Sequence, residues 1–353
     1  RIQRRDKKTD DTDNAENREP PEDFREIGVF PKTEDIIRNE DPFLRKNRPV
    51  GGYDSLDHYL DVQFRLLRED FIAPLRDGIF DYVTAVHDRG RAGKMKDVRI
   101  YDNVRIIAPV CSDNGLNHIL LFDSSKLNVR WRSTKRLIYG SLVCLSPDLF
   151  NTLYFATVAS RDPKDLERGI VHVRFEHDNV VVQTLRDQVF TMAESAAFFE
   201  AYRHILKGLQ NVRDGDLPFE NLIVLCDHVV QPPAYLRRNH NATVDLRPLV
   251  DEDIILRGDS RLERLGMVED GETNYNFSEK SRPAQNVQVL NRASWPPADL
   301  LQFDESQYRA FINAVTQEFT ITQGPPGTGK TYIGLKIVKT LLHNRQLWSI
   351  GPD

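Results

Sequence analysis

The octapeptide Gly324-Pro325-Pro326-Gly327-Thr328-Gly329-Lys330-Thr331 constrains the fold of this chain more than any other stretch. It fits the P-loop pattern, and a P-loop works in one setting: a strand runs into a glycine-rich turn and a helix runs out of it. The flanks match. Glu318-Phe319-Thr320-Ile321-Thr322 alternates apolar and polar residues, which predicts a strand. After the turn, Ile333, Ile337, Val338, Leu341 and Leu342 recur at helical spacing. Glycines let the backbone wrap closely and aim its N–H groups at phosphate oxygens, and the helix N-terminus adds the positive end of its dipole. In that arrangement Gly324, Pro325, Pro326, Gly327, Thr328 and Gly329 cradle the phosphates of a nucleoside triphosphate. Lys330 reaches the β- and γ-phosphates, and the hydroxyl of Thr331 ligates Mg²⁺. Lys330 and Thr331 are therefore the expected catalytic residues.

Few residues follow Thr331, and the chain begins at Arg1. An ATPase of this class needs further strands to carry an acid that holds Mg²⁺ and activates water, and positive charge at the γ-phosphate. The chain is thus expected to be a piece of a longer protein. Its 353 residues suggest two or three domains. Cys111, Cys144 and Cys226 are dispersed and odd in number, which argues against a disulfide framework or a zinc site of paired cysteines and favours a reducing compartment. No run of about 18 apolar residues occurs, so no transmembrane segment is predicted. With a net charge of −5, contact with nucleic acid must come from a local patch.

Residues 1–25 are crowded with charges and nearly free of large apolar side chains, which predicts a disordered segment. Over residues 26–95 a helical stripe dominates: Leu56, Leu60, Phe64, Leu67, Phe71, Leu75, Ile79, Tyr82 and Val86 step by three or four. Pro74 is expected to break or kink it into two helices in series, and Gly90 and Gly93 to end it. Residues 96–190 read as short strands: Val104–Val110, His118–Phe122, Leu127–Trp131, Leu137–Leu145, Leu153–Val158, Ile170–Phe175 and Val180–Thr184. Asn114-Gly115 signals a hairpin between the first two. Seven strands at this spacing predict a small barrel or sandwich. A helix returns over 191–213 with Phe199, Tyr202, Leu206 and Leu209, so the β-module is expected to be inserted between paired stalk helices. Residues 214–300 form a Pro/Arg/Asp-rich connector with few legible elements, and 301–353 carry the nucleotide motif. His172, His177 and His204 show no metal spacing and are taken as structural.

Leu301-Gln302-Phe303-Asp304-Glu305-Ser306-Gln307 introduces a helix with Ala310, Phe311, Ala314 and Val315 on its inner face, capped by Ser306 or Asp304. Gln307 lies one helix and one strand before the P-loop. A side-chain amide both donates and accepts, so it can select an adenine edge. A glutamine in Asp304-Glu305-Ser306-Gln307, followed by Gln323 and the P-loop, resembles the start of the first RecA-like domain of Upf-like superfamily 1 helicases. In that group a small β-barrel on two stalk helices comes before this domain, as read here. Residues 61–71, 136–144, 199–204 and 332–338 resemble more specifically the NFX-type zinc-finger-containing helicases. The resemblance implies an α/β multidomain fold, with a partial RecA-like P-loop domain preceded by a small β-barrel inserted between stalk helices. It further implies an ATP-dependent RNA helicase with ATP and Mg²⁺ as cofactors. RNA and ribonucleoprotein or small-RNA pathway proteins would be its partners, in cytoplasmic ribonucleoprotein granules or antiviral defence.

Arg130, Arg132, Lys135 and Arg136 surround Trp131 on the β-module and are candidate RNA contacts, with phosphates for the cations. Strand alternation would put Trp131 on the face opposite Arg130 and Arg132, against a stacking role. The residues read more readily as an ordinary strand pair with Trp131 buried and the charges solvated. Two other functions fit the P-loop: an AAA-type ATPase acting on protein, which shares the octapeptide, and a non-catalytic RNA- or partner-binding module.

Overall fold

The computed structural model describes residues 19–37, 41–90, 93, 95–112, 115–125, 127–176, 185, 187–251 and 277–348. The fold mixes helices with a closed β-barrel and divides into two compact units, residues 1–226 and 227–353.

In the first unit a short helix α1 (Thr33–Ile37) precedes α2 (Leu56–Arg89), which Ser55 caps through its side chain and Gly90 ends in the left-handed conformation. At about 1.5 Å per residue, α2 is about 50 Å long. It runs unbroken through Pro74, contrary to the expected division in two. Proline in a helix costs about 3 kcal/mol. Phe71, Ile72, Leu75 and Ile79 around it are fully buried, each contributing about 1.5–3 kcal/mol, so packing outweighs the lost hydrogen bond. The partner is α4 (Phe199–Asn211), labelled after α3 (Pro163–Glu167) in the barrel. Phe71 of α2 meets the rings of Phe199 and Tyr202 at 5.2 and 5.4 Å, and the Tyr202 hydroxyl donates to Asp70 at 2.6 Å. These two helices pack on each other through these contacts.

Part of the stretch expected to be disordered is folded. Phe24 is 3% exposed, stacks on Phe64 at 5.7 Å, and its carbonyl accepts from Gln210 of α4. Arginines of α2 hold the chain that follows: Arg68 donates to the Gly28 carbonyl and the Asp35 carboxylate, and Arg76 to the Asp35 carbonyl. One aromatic anchor and these charge-assisted bonds fix a segment whose composition alone reads as unfolded.

The barrel has six strands among the described residues: β1 (Val98–Ser112), β2 (Gly115–Leu121), β3 (Leu142–Ser146), β4 (Tyr154–Ser160), β5 (Ile170–Phe175) and β6 (Phe190–Ser195). They close antiparallel in the order β1-β2-β5-β4-β3-β6. One long strand makes closure possible: Val98–Val104 pairs with β6 and Arg105–Ser112 with β2, with bulges between Tyr101 and Val104 and between Ile106 and Ala108. Bulges bend and twist a strand, which is what a closed sheet requires. Along β5, Val171, Val173 and Phe175 point inward in the alternation expected of a half-buried strand.

Three strand expectations need correction. Leu127–Trp131 is not a strand: its backbone closes local turns, with the Leu127 carbonyl accepting from Val129 and the Arg130 carbonyl from Ser133 and Thr134, and Arg161 takes the Trp131 carbonyl. Only residues 142–145 of the Leu137–Leu145 run pair in the sheet, in a strand that continues to Ser146. Residues 190–195, read largely as the start of the returning helix, are the strand that closes the barrel. Val180–Thr184 and His177 lie outside the described residues.

In the second unit the apparent connector supplies core. Leu236, Val244, Leu246, Leu249, Val287, Val289 and Trp295 pack with residues of α5 (Glu305–Thr316) and with Ile333 of α6 (Lys330–His343). A two-stranded pair, β7 (Thr243–Val244) with β8 (Val287–Gln288), ties this core together. The strand expected over 318–322 does not form. A parallel-sheet strand needs neighbours to accept its N–H and C=O groups, and none pairs with it among the described residues.

Candidate nucleotide site

The site begins at the N-terminus of α5. Asp304 caps the helix by accepting from the Gln307 N–H at 2.8 Å, and the Gln307 amide oxygen accepts from the Asp304 N–H at 3.2 Å. This reciprocal capping box settles the cap on Asp304; Ser306 instead donates its hydroxyl to Asp304. The backbone bond from Gln307 is the first cause holding the Asp304 carboxyl below its usual range. Phe311 and Val315 are buried as expected, joined by Tyr308 and Ile312, while Ala310 and Ala314 are half-buried.

The other nitrogen-bearing end of Gln307 lies against the P-loop. Its Nε2 is 3.4 Å from the Thr328 carbonyl, 21 residues on, and a Cβ added at Gly329 would sit 2.7 Å from the same nitrogen. Glycine is required at 329 for two reasons: this close approach, and a φ of 82°. Gly327 also has positive φ, and a Cβ built on it meets no atom within 4 Å, so the turn there is open. Thr328 braces the turn by donating to the Pro325 carbonyl at 2.8 Å.

Lys330 and Thr331 open α6, as the sequence predicts. Gly329 caps the helix with no side-chain acceptor, and its first turn contains no acid, so the leading N–H groups and the dipole face the loop uncompensated by negative charge. Lys330 Nζ folds back on the Gly324 and Pro325 carbonyls at 2.7 and 2.8 Å. It thereby closes the loop mouth with a cation held by neutral acceptors.

Sequence reasoning missed the support behind the loop. Tyr332 donates to the Gln302 carbonyl at 3.2 Å and contacts the ring of Phe303 at 6.2 Å. Lys336 is buried one turn further on, donates to the Leu249 carbonyl at 3.3 Å, and is pulled down to about 8 by burial. Nothing in the sequence sets Lys336 apart from Lys330 and Lys339 of the same helix, so this contact carried no signal. The expected helical stripe divides: Ile333 is buried, Ile337 and Leu341 are half-buried, and Val338 and Leu342 are 52% and 60% exposed, with Leu335, outside the stripe, at 66%.

The basic candidates belong to the first unit, in the loop from Leu127 to Ser141 between β2 and β3. Arg130, Arg132 and Lys135 are exposed, Arg136 is half-buried and Trp131 is buried against Phe122. The expected face alternation holds, although a turn and not a strand produces it.

A ZNFX1 domain model matches residues 93–196, which contain the barrel. The human NFX1-type zinc finger-containing protein 1 is 42% identical over 334 residues, covering 94% of this chain and 16% of that protein. The Caenorhabditis elegans homolog of that protein is 28% identical over 390 residues, 95% of this chain and 16% of its own length. The Schizosaccharomyces pombe helicase required for RNAi-mediated heterochromatin assembly 1 is 29% identical over 325 residues, 91% of this chain and 28% of its own. The chain thus spans well under a third of the length of these relatives. Residues 93–196 thus match a ZNFX1 domain, and over nearly its whole length the chain is similar to NFX1-type zinc finger-containing proteins.

Proposed function

We propose that this chain forms the nucleotide-gripping part of an ATP-dependent RNA helicase of the Upf-like superfamily 1, with a RecA-like domain around its P-loop. The observation that carries the reading is the meeting of Gln307 with the loop backbone at Thr328. A glutamine amide and a phosphate turn, distant in sequence, adjoin at the mouth of one helix. An adenine-reading group and a phosphate-binding nest have to adjoin to hold ATP.

The residues present fit Mg²⁺-ATP. Open backbone at Gly327, an acid-free helix start and a lysine resting on neutral carbonyls all accept polyphosphate in place of internal contacts. Bound, Mg²⁺-ATP supplies the γ-phosphoryl group and the cation that draws charge from it. Lys330, now on the Gly324 and Pro325 carbonyls, would hold the phosphates and supply positive charge to them, and Thr331 would offer its hydroxyl to the metal. The acid and the arginines that complete hydrolysis come, on this reading, from other parts of the protein.

The uncovered faces support a RecA-like sheet. Ile321, before the loop, is 81% exposed, and a groove of about 500 Å³ lies between α5 and residues 319–323. Strands packed there would cover Ile321 and the outer face of α6. The name of the yeast relative, a helicase of RNAi-mediated heterochromatin assembly, supports an RNA substrate and small-RNA partners. Cytoplasmic ribonucleoprotein granules are the compartment proposed.

Calorimetric titration with non-hydrolysable ATP and GTP analogues and Mg²⁺ tests the site. The ATP analogue should bind more tightly, by about tenfold for one amide pair. Gln307→Glu keeps the capping acceptor and loses the donor, so it should remove the preference; Lys330→Ala should abolish binding of both. Equal affinity for the two analogues in the unaltered chain would refute adenine reading by Gln307.

A further inference from the structure

The β2–β3 loop is fastened to the barrel in a manner that leaves its charges outward. Trp131 is buried against Phe122 at 5.9 Å, and Phe122 meets Tyr101 at 5.2 Å. Leu137, fully buried, holds φ at 46°, and its N–H donates to the buried carboxylate of Glu194 at 2.7 Å. Between these anchors the carbonyls are taken by arginine: Arg161 binds those of Trp131, Thr134 and Arg136, and Arg99 that of Lys135. Glu194 answers the charge of Arg99 at 3.0 Å. No ion pair engages Arg130, Arg132, Lys135, Arg136 or Arg161 among the described residues.

A floppy run of cations needs no such fastening, whereas a rigid one loses little entropy on meeting a ligand. The ligand must be a polyanion with repeated single charges, since the cations are spread over seven residues, three of them exposed and Arg136 half-buried. The loop also ends on an aromatic: Tyr139 is 56% exposed, three residues and so within about 11 Å of backbone from Arg136. A phosphodiester chain with bases meets both requirements, and an acidic peptide meets only the first.

We propose that the 130–139 loop binds single-stranded RNA, with Arg130, Arg132, Lys135 and Arg136 on phosphates and Tyr139 stacked on a base. The choice of RNA rests on the helicase reading above. Stacking thus passes from Trp131, which is buried, to Tyr139. Binding is independent of base sequence, because cations on phosphates and a ring on a base face read no base edge.

Fluorescence anisotropy of the whole chain with a labelled 20-nucleotide oligouridylate, without nucleotide and across a potassium chloride series, tests this. Arg130→Gln/Arg132→Gln/Lys135→Gln should lower the slope of log K against log salt by about 2, at about 0.7 per phosphate released. Tyr139→Ala should weaken binding roughly fivefold or more with the slope unchanged, and Tyr139→Phe should restore it. All four positions are exposed, so the melting temperature should not move. An unchanged slope in the triple variant overturns the proposal; so does a parallel titration with labelled polyglutamate in which the triple variant loses that ligand and keeps RNA, which would assign the loop to acidic protein. Nucleotide titration of the same samples separates the readings. Failure of the loop alongside intact ATP binding sinks only this inference, and the reverse result sinks only the nucleotide site.

Discussion

The joint between stalk and barrel rests on Gly78, and its replacement by alanine has a cost that can be worked out. A Cβ at this position would lie 2.5 Å from Cγ1 of Val98, 2.9 Å from Cγ2 and 3.2 Å from Cβ. Val98 is 1% exposed and β-branched, so its methyls cannot swing aside cheaply. Alanine gains about 1 kcal/mol over glycine in a helix interior. Forcing a methyl into a packed core costs about 1–3 kcal/mol. Crowding therefore wins, and Gly78→Ala should destabilise the first unit by about 0–2 kcal/mol, with propensity acting against it. Val98→Ala alone should cost about 2 kcal/mol for lost methyls and the cavity they leave. In the double variant the new methyl enters that cavity, so the pair should couple favourably by about 1–3 kcal/mol. Hydrogen exchange over β1 and α2 reads this locally, without interference from the second unit. Stabilisation by Gly78→Ala, or additive effects in the double variant, would refute the close packing of α2 on β1.

Glu194→Ala should destabilise the barrel by about 3–5 kcal/mol, since it strands the Tyr101 hydroxyl and the Leu137 N–H in the interior and unpairs Arg99; urea unfolding measures it. Glu194→Gln keeps one acceptor for the Leu137 N–H, and its amide N–H can donate to the Tyr101 hydroxyl, so it should cost less. The Asp245 carboxyl is pushed up by burial, but hydrogen bonds from His343 and Arg247 outweigh this and hold it well below the usual range. A lowered carboxyl stabilises above its unfolded value of about 3.9 and loses that contribution as pH falls, so the second unit should weaken progressively below about pH 4. Asp245→Asn should flatten this acid dependence and cost about 1–2 kcal/mol at neutral pH, as read by circular dichroism across a pH series.

The elements legible in the sequence were those governed by local rules. Ser55, Gly90 and the apolar stripe define α2; the P-loop glycines and Lys330 define the start of α6; Ile170–Phe175 shows its alternation openly. What stayed hidden depends on partners far along the chain. Phe24 sits in a charged segment and finds its core only because Phe64 and Gln210 converge on it. Phe190–Ser195 alternates no better than a helix start, and only closure against β1 and β3 makes it a strand. Conversely, Glu318–Thr322 has a strand pattern but no strand beside it. At the site, Gln307 was legible from its spacing to the loop. Tyr332, Lys336 and Tyr139 carry no motif and emerge only from packing and exposure.

The central claim is an ATP-driven motor that acts on RNA. The most direct measurement is ATP hydrolysis by the full-length protein, with and without single-stranded RNA, beside Lys330→Ala. The account predicts hydrolysis that RNA stimulates and that the variant loses. ATP binding with no RNA stimulation, or stimulation by protein alone, would contradict it.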